Sequence, residues 1–448
     1  MEAAARTTGT VVAAFPLGFE ITLMVEETGD LSVPTTYRCA PRRRRVAAGW
    51  QDALEGDGAA EAFVDHLRHH VSPPVDGFRL LRVVPPPEAS GEREVFEDED
   101  SQAVAVGERV VVRWNLRVGD RPHPAPLTLT HLAEVGFHEV PATHGMLLWT
   151  APSGREVPCA LATAYLPRAR DGRQWVLDLV EEHLGLTGGS PRPDPWIKDA
   201  PARLGRLAAH MHLALARPSK VVPEPVRRAG GETVIGWHTA IMRRLETAYQ
   251  NVLEGRIEWA APDAVEILEA RNETLTAAVD ALLDVAADAD GVVVQRVHGD
   301  LHIGQVLRWS GGLSITDFDG VPGGGVGLPD PDDPGATALL LPAAWDVARL
   351  LRSVDRVGRT ADAKAGFAVT DEVDAWVTEA RKELLRAYRA ELDAADRREL
   401  LDDRLLEAFE VDQACRGILD AVEGEEPLPG RTAAVLAALR NRYPAQDG

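Results

Sequence analysis

The chain has 448 residues, of which 45% are hydrophobic, and a formal net charge of −22 at pH 7. This length is typical of two or three domains with large cores, and the negative charge argues against non-specific nucleic-acid binding. No stretch has the eighteen or more uncharged apolar residues of a membrane span, and the N-terminal residues lack the apolar core of a signal peptide. The three scattered cysteines, Cys39, Cys159 and Cys415, match no metal-binding pattern and favour a reducing compartment. We therefore expect a cytoplasmic protein.

The first 90 residues are predicted to form a module of their own. Thr10–Phe15 and Phe19–Glu26 have strand-like composition, and Ala59–His70 has the pattern of a short helix. Three prolines at 85–87 are followed by an acidic stretch at 88–100, which indicates a linker.

Residues 91–166 are predicted to form a β-rich region. Arg109–Leu116 is a β-branched strand, in which alternation places Arg113 on the face opposite Val112 and Trp114. A basic residue inside a buried strand is unusual, so Arg113 is a candidate ligand for an anion. The alternative is that Arg113 faces solvent.

The rest of the chain, residues 167–448, is predicted to be mainly helical. Its helical patterns cover Gln174–Leu184, Ala202–Ala216, Val234–Leu253, Ala261–Ala286, Trp345–Val354, Glu372–Leu392 and Asp402–Val422. Two histidines in one of these helices, His210 and His212, are two positions apart and do not share a helix face. We therefore interpret them as structural residues and not as metal ligands.

The most informative segment is Val297–Pro322, which reads VHGDLHIGQVLRWSGGLSITDFDGVP. Its two short apolar runs, joined at Ser310-Gly311-Gly312, predict a β-hairpin with a glycine turn. Asp300 stands just before the first strand, and Asp317 and Asp319 stand at the end of the second.

These residues suit phosphoryl transfer, which needs a carboxylate to accept the hydroxyl proton and oxygen ligands to hold Mg²⁺ on the phosphates. Asp300 is the candidate base, Gln305 and Asp317 are candidate metal ligands, and Asp319 is a further candidate ligand. In the protein-kinase catalytic loop the base also precedes the metal-binding amide by five positions, and a DFG aspartate follows. The alternative is a polar hairpin whose aspartates cap turns.

Several stretches resemble the aminoglycoside phosphotransferase-like kinases, and among them the actinobacterial maltokinases and the maltokinase-like glucosamine kinases. They are HGDLHIGQVLR at 298–308, HLAEVGF at 131–137, ALATAYLP at 160–167 and WDVARLLRSVD at 345–355. The resemblance spans roughly residues 100–400. It implies a bilobal α+β fold like that of eukaryotic protein kinases.

The resemblance also assigns the three regions and their ligands. Residues 1–90 would be an N-terminal cap subdomain, 91–166 a β-rich N-lobe with a hinge, and 167–448 a helical C-lobe. ATP, Mg²⁺ and a small sugar acceptor are the expected ligands of a monomer or homodimer, with no nucleic-acid or membrane partner.

Further roles follow from the resemblance. Arg113 would contact the phosphates at the position that kinases usually fill with lysine. Backbone groups around Ala164, Tyr165 and Leu166 would hold adenine. His302 would support the catalytic loop or bind the acceptor.

Two departures separate the chain from maltokinases. Maltokinases usually carry DFEGEP and an aromatic segment near the C-terminus, whereas this chain reads DFDGVP at 317–322 and FEVDQACRG at 409–417. Because disaccharides are commonly held by aromatic stacking, the missing tyrosines favour a smaller or different acceptor.

The same C-terminal segment suits an amine, because an ammonium group in a sugar pocket needs a carboxylate nearby and charged hydrogen bonds are strong. The candidate acceptor ligands in it are Glu410, Asp412, Gln413, Arg416 and Asp420. The alternative is a solvent-exposed helix face with i,i+4 ion pairs.

These patterns favour a kinase that converts glucosamine to glucosamine 6-phosphate. A maltokinase that makes maltose 1-phosphate, an aminoglycoside antibiotic kinase and a pseudokinase that only binds ligands are the alternatives.

Overall fold

The computed structural model describes residues 10–18, 20–28, 36–45, 49–69, 75–120, 123–188, 194–254, 264–320 and 340–423. The chain divides into two compact units, Met1–Ala169 and Arg170–Gly448. Within the described ranges, no helix has both the length and the apolar character needed to cross a membrane.

The first unit contains two antiparallel sheets. One has strands β1 (Thr10–Gly18), β2 (Ile21–Glu27), β3 (Thr36–Arg45) and β4 (Gly49–Asp52) in sequence order, with β9 (Arg117–Gly119) paired to β3. The other has the order β5 (Phe78–Arg82), β10 (Thr143–Thr150), β11 (Glu156–Ala164), β8 (Val110–Asn115), β7 (Ser101–Val106) and β6 (Glu92–Glu97). Its helices are α1 (Ala59–His69) and α2 (Ala125–Glu134).

One hydrophobic core holds both sheets and helix α1 together. Phe63 of α1 packs against Trp114 of β8, and Tyr37 of β3 packs against Trp149 of β10. Strand β5 lies before the boundary predicted at residue 90 and pairs with β10, which lies after it. The structure therefore mixes strands from both sides of that boundary in one sheet, and the division into cap and N-lobe stays a prediction.

The second unit is mainly helical. Its helices are α3 (Gly172–His183), α4 (Ala200–Leu215), α5 (Gly231–Leu253), α6 (Ala264–Glu269), α7 (Asn272–Ala286), α8 (Ala344–Lys364), α9 (Thr370–Ala394) and α10 (Asp403–Glu423). Strands β12 (Val226–Ala229), β13 (Val292–Arg296) and β16 (Leu340–Leu341) form a small antiparallel sheet. The single helix predicted over 261–286 is wrong, because α6 ends at Glu269 and α7 begins at Asn272.

The predicted hairpin is present. Strand β14 (Val306–Trp309) pairs with β15 (Gly312–Ile315), and the turn between them contains Ser310 and Gly311. The loop before β14 packs closely on the start of α3: a Cβ at Gly172 would lie 1.7 Å from the carbonyl oxygen of Ile303. Trp175 of α3 also donates a hydrogen bond to the Val306 carbonyl at 3.1 Å. These contacts fix the hairpin against the helical core.

Candidate active site

The loop that carries Asp300 connects β13 to β14 and is hydrogen-bonded to side chains of helix α8. The carboxylate of Asp346 accepts hydrogen bonds from the backbone N–H groups of His298, at 2.7 Å, and Gly299, at 2.9 Å. The indole of Trp345 donates to the Gly299 carbonyl at 2.9 Å. Gly299 has a φ of 88°, a conformation that favours glycine. The backbone directly before Asp300 is therefore tied to α8.

Asp346 is itself held by a buried chain of polar groups. Its Oδ2 lies 3.1 Å from Nε2 of His212 on α4, and Nδ1 of His212 lies 2.7 Å from the hydroxyl of Tyr388 on α9. Burial would raise the pKa of Asp346, but hydrogen bonds and the nearby His212 and His298 outweigh it and lower the pKa. The carboxylate is therefore an anion that accepts three hydrogen bonds.

His298 connects the catalytic loop to the end of β15. Its Nδ1 accepts the backbone N–H of Asp300 at 3.3 Å, so Nε2 carries the proton and donates to the Thr316 carbonyl at 2.9 Å. Its ring packs on Phe318 with a centroid distance of 4.6 Å. The segments that carry Asp300 and Asp317 are thus joined by one side chain.

The structure brings Gln305 and Asp317, the two predicted metal ligands, into contact. Nε2 of Gln305 donates to Oδ2 of Asp317 at 3.2 Å. Asp317 has a φ of 68°, which aspartate tolerates better than most residues. Asp319 lies two residues further on and is half-buried.

The donor chemistry of this pair fits Mg²⁺, which binds carboxylate and carbonyl oxygens. Among the described residues, no group of three or more His, Cys, Asp and Glu side chains is placed to hold a metal ion. Mg²⁺ is usually bound through one or two carboxylates together with substrate phosphates and water, and does not need a cage of protein ligands.

Asp300 has one charged and one neutral neighbour. Its Oδ1 contacts Nη2 of Arg349 on α8, and its Oδ2 lies 3.8 Å from Nε2 of His302. Burial lowers the pKa of His302 to about 4, although the charge of Asp300 acts in the opposite direction. His302 is therefore neutral near pH 7 and can act as a hydrogen-bonding group beside the carboxylate.

The five candidate acceptor ligands on α10 have different surroundings. Gln413 is buried, and its Oε1 accepts a hydrogen bond from Nη1 of Arg349 at 3.2 Å. Because Arg349 also contacts Asp300, this one side chain links Gln413 to Asp300. Asp412 is fully buried and pairs with Arg244 of α5 and, at 2.7 Å, with Arg416.

The remaining candidates point to other neighbours. Glu410 is buried and pairs at 2.6 Å with Arg381 of α9. Arg416 lies over the ring of Trp345, with its guanidinium carbon 5.1 Å from the ring centroid. Asp420 is exposed, and its charge acts on the half-buried Arg352. Because Glu410, Asp412 and Gln413 are buried, α10 does not present them on a solvent-exposed face.

The nucleotide-site candidates belong to the first unit. Arg113 lies in β8, half-buried, on the face opposite the buried Val112 and Trp114. Ala164 is the last residue of β11, and its N–H donates to the Ala142 carbonyl at 2.9 Å. The following Tyr165 and Leu166 are half-buried.

Comparison with known proteins places this arrangement in a family. The chain is 34% identical over 388 residues to a glucosamine kinase of Streptacidiphilus jiangxiensis, across 85% of this chain and 81% of the relative. The chain belongs to the glucosamine kinase family. A glucosamine kinase of Mycolicibacterium smegmatis is 31% identical over 386 residues, across 85% of this chain and 88% of the relative. A search of family models finds no match.

Solved structures agree with this family assignment. A glucosamine kinase in complex with glucosamine, ADP and inorganic phosphate superposes with a TM-score of 0.75 at 28% identity, covering 97% of this chain and 94% of that chain. A second crystal form of a glucosamine kinase gives a TM-score of 0.75 at 29% identity, over 98% and 95% of the two chains. These structures confirm the predicted α+β fold, which this chain shares with solved glucosamine kinases.

The structure of this glucosamine kinase family member also shows four residues that the sequence analysis did not place in the site: Asp346, Arg349, His212 and Tyr388. Asp346 and Arg349 occur in the run WDVARLLRSV, where polar residues stand among apolar ones on an otherwise buried helix. A buried polar side chain requires a partner. The pattern therefore indicates that Asp346 and Arg349 have polar partners. It does not identify those partners, because they are distant in sequence.

Proposed function

We propose that this protein is an ATP-dependent glucosamine kinase, which transfers the γ-phosphoryl group to the 6-hydroxyl of glucosamine and forms glucosamine 6-phosphate. The observation that carries the proposal is the contact between Gln305 and Asp317 at 3.2 Å, on the hairpin that directly follows Asp300. Membership of the glucosamine kinase family, and the complex of a relative with glucosamine, ADP and inorganic phosphate, support it.

Asp300 is the proposed catalytic base. Oδ1 of its carboxylate is held by Arg349, so Oδ2 is the oxygen that accepts the proton of the sugar hydroxyl as the phosphoryl group arrives. Neutral His302, 3.8 Å from that oxygen, is the proposed hydrogen-bond partner of the acceptor. A phosphoryl transfer needs little further covalent help from the protein.

Gln305, Asp317 and Asp319 are the proposed Mg²⁺ ligands. The ion would neutralise charge on the phosphate oxygens of ATP. Arg113 is proposed to contact the phosphates, and the backbone around Ala164, Tyr165 and Leu166 to hold adenine. We also propose that the enzyme works in the cytoplasm, in keeping with its three free, buried cysteines.

The proposed acceptor site is the face of α10 that reaches Arg349. Gln413 has the strongest support, because Arg349 is the single side chain between it and the base. Asp412 belongs to the proposed set as the carboxylate that, paired with Arg244 and Arg416, fixes the charges beside Gln413. Glu410, Arg416 and Asp420 complete the proposed set; Glu410 pairs with Arg381 of α9, and Arg416 pairs with Asp412 on the same helix.

A maltokinase is the less favoured function, for a reason visible in α10. Phe409, the one aromatic residue of the 409–417 segment, is fully buried and packs against Trp237 and Trp345 at centroid distances of 6.0 and 5.6 Å. It is therefore engaged in the core and unavailable for stacking on a second sugar ring.

A panel of acceptors tests the proposal. ADP release is measured with ATP and glucosamine, N-acetylglucosamine, maltose, an aminoglycoside or no acceptor, and the product is identified by NMR. We expect glucosamine to give the highest kcat/KM, with phosphate on the 6-oxygen. Turnover of maltose with none of glucosamine would refute the proposed acceptor.

A further inference from the structure

Helix α8 places Arg349 between the proposed base and the proposed acceptor segment. Nη2 of Arg349 contacts Oδ1 of Asp300, and Nη1 donates to Oε1 of Gln413 at 3.2 Å. A guanidinium group is planar, and its donors have a fixed geometry. Because both bonds come from one rigid group, a movement of Gln413 is transmitted to the carboxylate of Asp300.

The surroundings leave little freedom for either bond. The side chain of Asp300 is 14% exposed and that of Arg349 is 18% exposed. A carboxylate that is largely withdrawn from water needs a hydrogen-bonded partner. His302, the other close neighbour, is neutral near pH 7, so the charge that contacts Asp300 comes from Arg349.

Arg349 also belongs to the same helical turn as Asp346, because residues three apart lie on one helix face. Asp346 fixes the backbone of His298 and Gly299, and Arg349 fixes the side chain of Asp300. One turn of α8 therefore determines both where the base stands and which of its oxygens is left for the acceptor.

We infer that Arg349 is a positioning residue that couples recognition of the acceptor at Gln413 to the orientation of Asp300. The inference rests on the proposed function, in which Asp300 is the base and α10 binds the acceptor. An acceptor that bonds Gln413 stabilises the bridge, and the bridge keeps Oδ2 of Asp300 directed at the hydroxyl to be phosphorylated.

A double-variant cycle tests this coupling. Arg349→Met keeps the aliphatic stem but removes the donors, and Gln413→Met keeps the volume but removes the acceptor oxygen. We expect kcat to fall about 10- to 100-fold in Arg349→Met, the size expected for a hydrogen bond to a charged group, with the KM for ATP unchanged. Gln413→Met lowers kcat and raises the KM for the sugar. The double variant should have the kcat of Arg349→Met alone.

Independent residues would behave differently, because the effects of uncoupled substitutions multiply on a rate. A kcat of the double variant equal to the product of the two single losses would overturn the coupling. Lys364→Met is the matched control: Lys364 lies on the same helix and pairs with Glu181 at 2.9 Å. Its kcat should equal that of the wild type, and an equal loss in Lys364→Met would show general damage to α8.

Chemical rescue separates a positioning role from a packing role. Added guanidinium ions at non-denaturing concentration should restore part of the kcat of Arg349→Ala, and Arg349→Lys should retain more activity than Arg349→Met. If guanidinium ions restored no activity to Arg349→Ala and Arg349→Lys were no more active than Arg349→Met, the inference would be overturned. If the wild type prefers another sugar, the proposed acceptor is refuted, but the cycle measured with that sugar still decides the role of Arg349.

Discussion

Oδ1 of Asp346 accepts a hydrogen bond from the backbone N–H of Gly299 at 2.9 Å. Its Oδ2 is hydrogen-bonded to the backbone N–H of His298 and to the ring of His212. All the hydrogen bonds of this buried carboxylate are thus used to fix the loop before Asp300 and to link that loop to α4. The position of the proposed base consequently depends on a residue that need not touch either substrate.

Substitution of Asp346 should weaken both folding and catalysis. In Asp346→Asn one acceptor oxygen becomes an NH₂ group, which cannot accept the backbone N–H that it faces. We expect the free energy of unfolding to fall by about 2–3 kcal/mol, as for loss of a hydrogen bond to a charged group. We expect kcat to fall about 10-fold or more, because small displacements of a reacting group are costly. Urea unfolding and steady-state kinetics measure the two effects.

The surface offers a matched control for this variant. His238 and Asp280 form an Asp–His pair at 2.8 Å, in which Asp280 is half exposed. Asp280→Asn should change the free energy of unfolding by less than about 1 kcal/mol, as expected for exposed pairs. If both variants lost the same stability and activity, the special role of Asp346 would be disproved.

His302 should make stability depend on pH. Its pKa is about 4 in the folded protein, and the ordinary histidine value that applies in the unfolded chain is about 6.5. Between these values the unfolded chain binds more protons, so the free energy of unfolding falls as the pH is lowered. The full shift corresponds to about 3 kcal/mol in the free energy of unfolding. This stability is fully present above about pH 6.5 and is lost as the pH falls to about 4.

Replacing His302 should reduce this dependence. Urea unfolding of the wild type and of His302→Asn at several pH values from about 7 down to about 5 would show a shallower decline in the variant. An identical decline in both proteins would show that His302 does not cause it.

Local patterns in the sequence were sufficient to predict the catalytic hairpin, because its strands and glycine turn are formed by residues that are close together in the chain. They were insufficient for the bridge between Arg349 and Gln413, which joins residues 64 positions apart. Periodicity assigns a residue to a helix face, but the partner of that face is decided by tertiary packing. The pairing of β5 with β10 was missed for the same reason, since it joins strands on the two sides of a linker-like segment.

Asp300→Asn is the direct test of the proposed base. The substitution keeps the shape of the side chain and one hydrogen-bond acceptor for Arg349, but the amide cannot accept the hydroxyl proton. We expect kcat to fall about 100- to 10,000-fold, the usual range for loss of a general base. Binding of ATP, measured by calorimetry, should persist, and unfolding should remain cooperative. A kcat within about 3-fold of the wild type would exclude Asp300 from proton transfer.

Gly172 offers a test of how the hairpin is held without altering a polar group. A Cβ at this position would lie 1.7 Å from the Ile303 carbonyl oxygen and 2.7 Å from that of Val306, so either α3 or the catalytic loop must move. We expect Gly172→Ala to cost about 1–3 kcal/mol of stability, as for other overpacked sites, and to lower kcat because the loop carries Asp300. Gly230 also stands at a helix start, but a Cβ there would meet nothing within 4 Å, so Gly230→Ala is the control. Equal thermal midpoints and equal kcat values for the two variants would show that the close approach at Gly172 does not hold the catalytic loop.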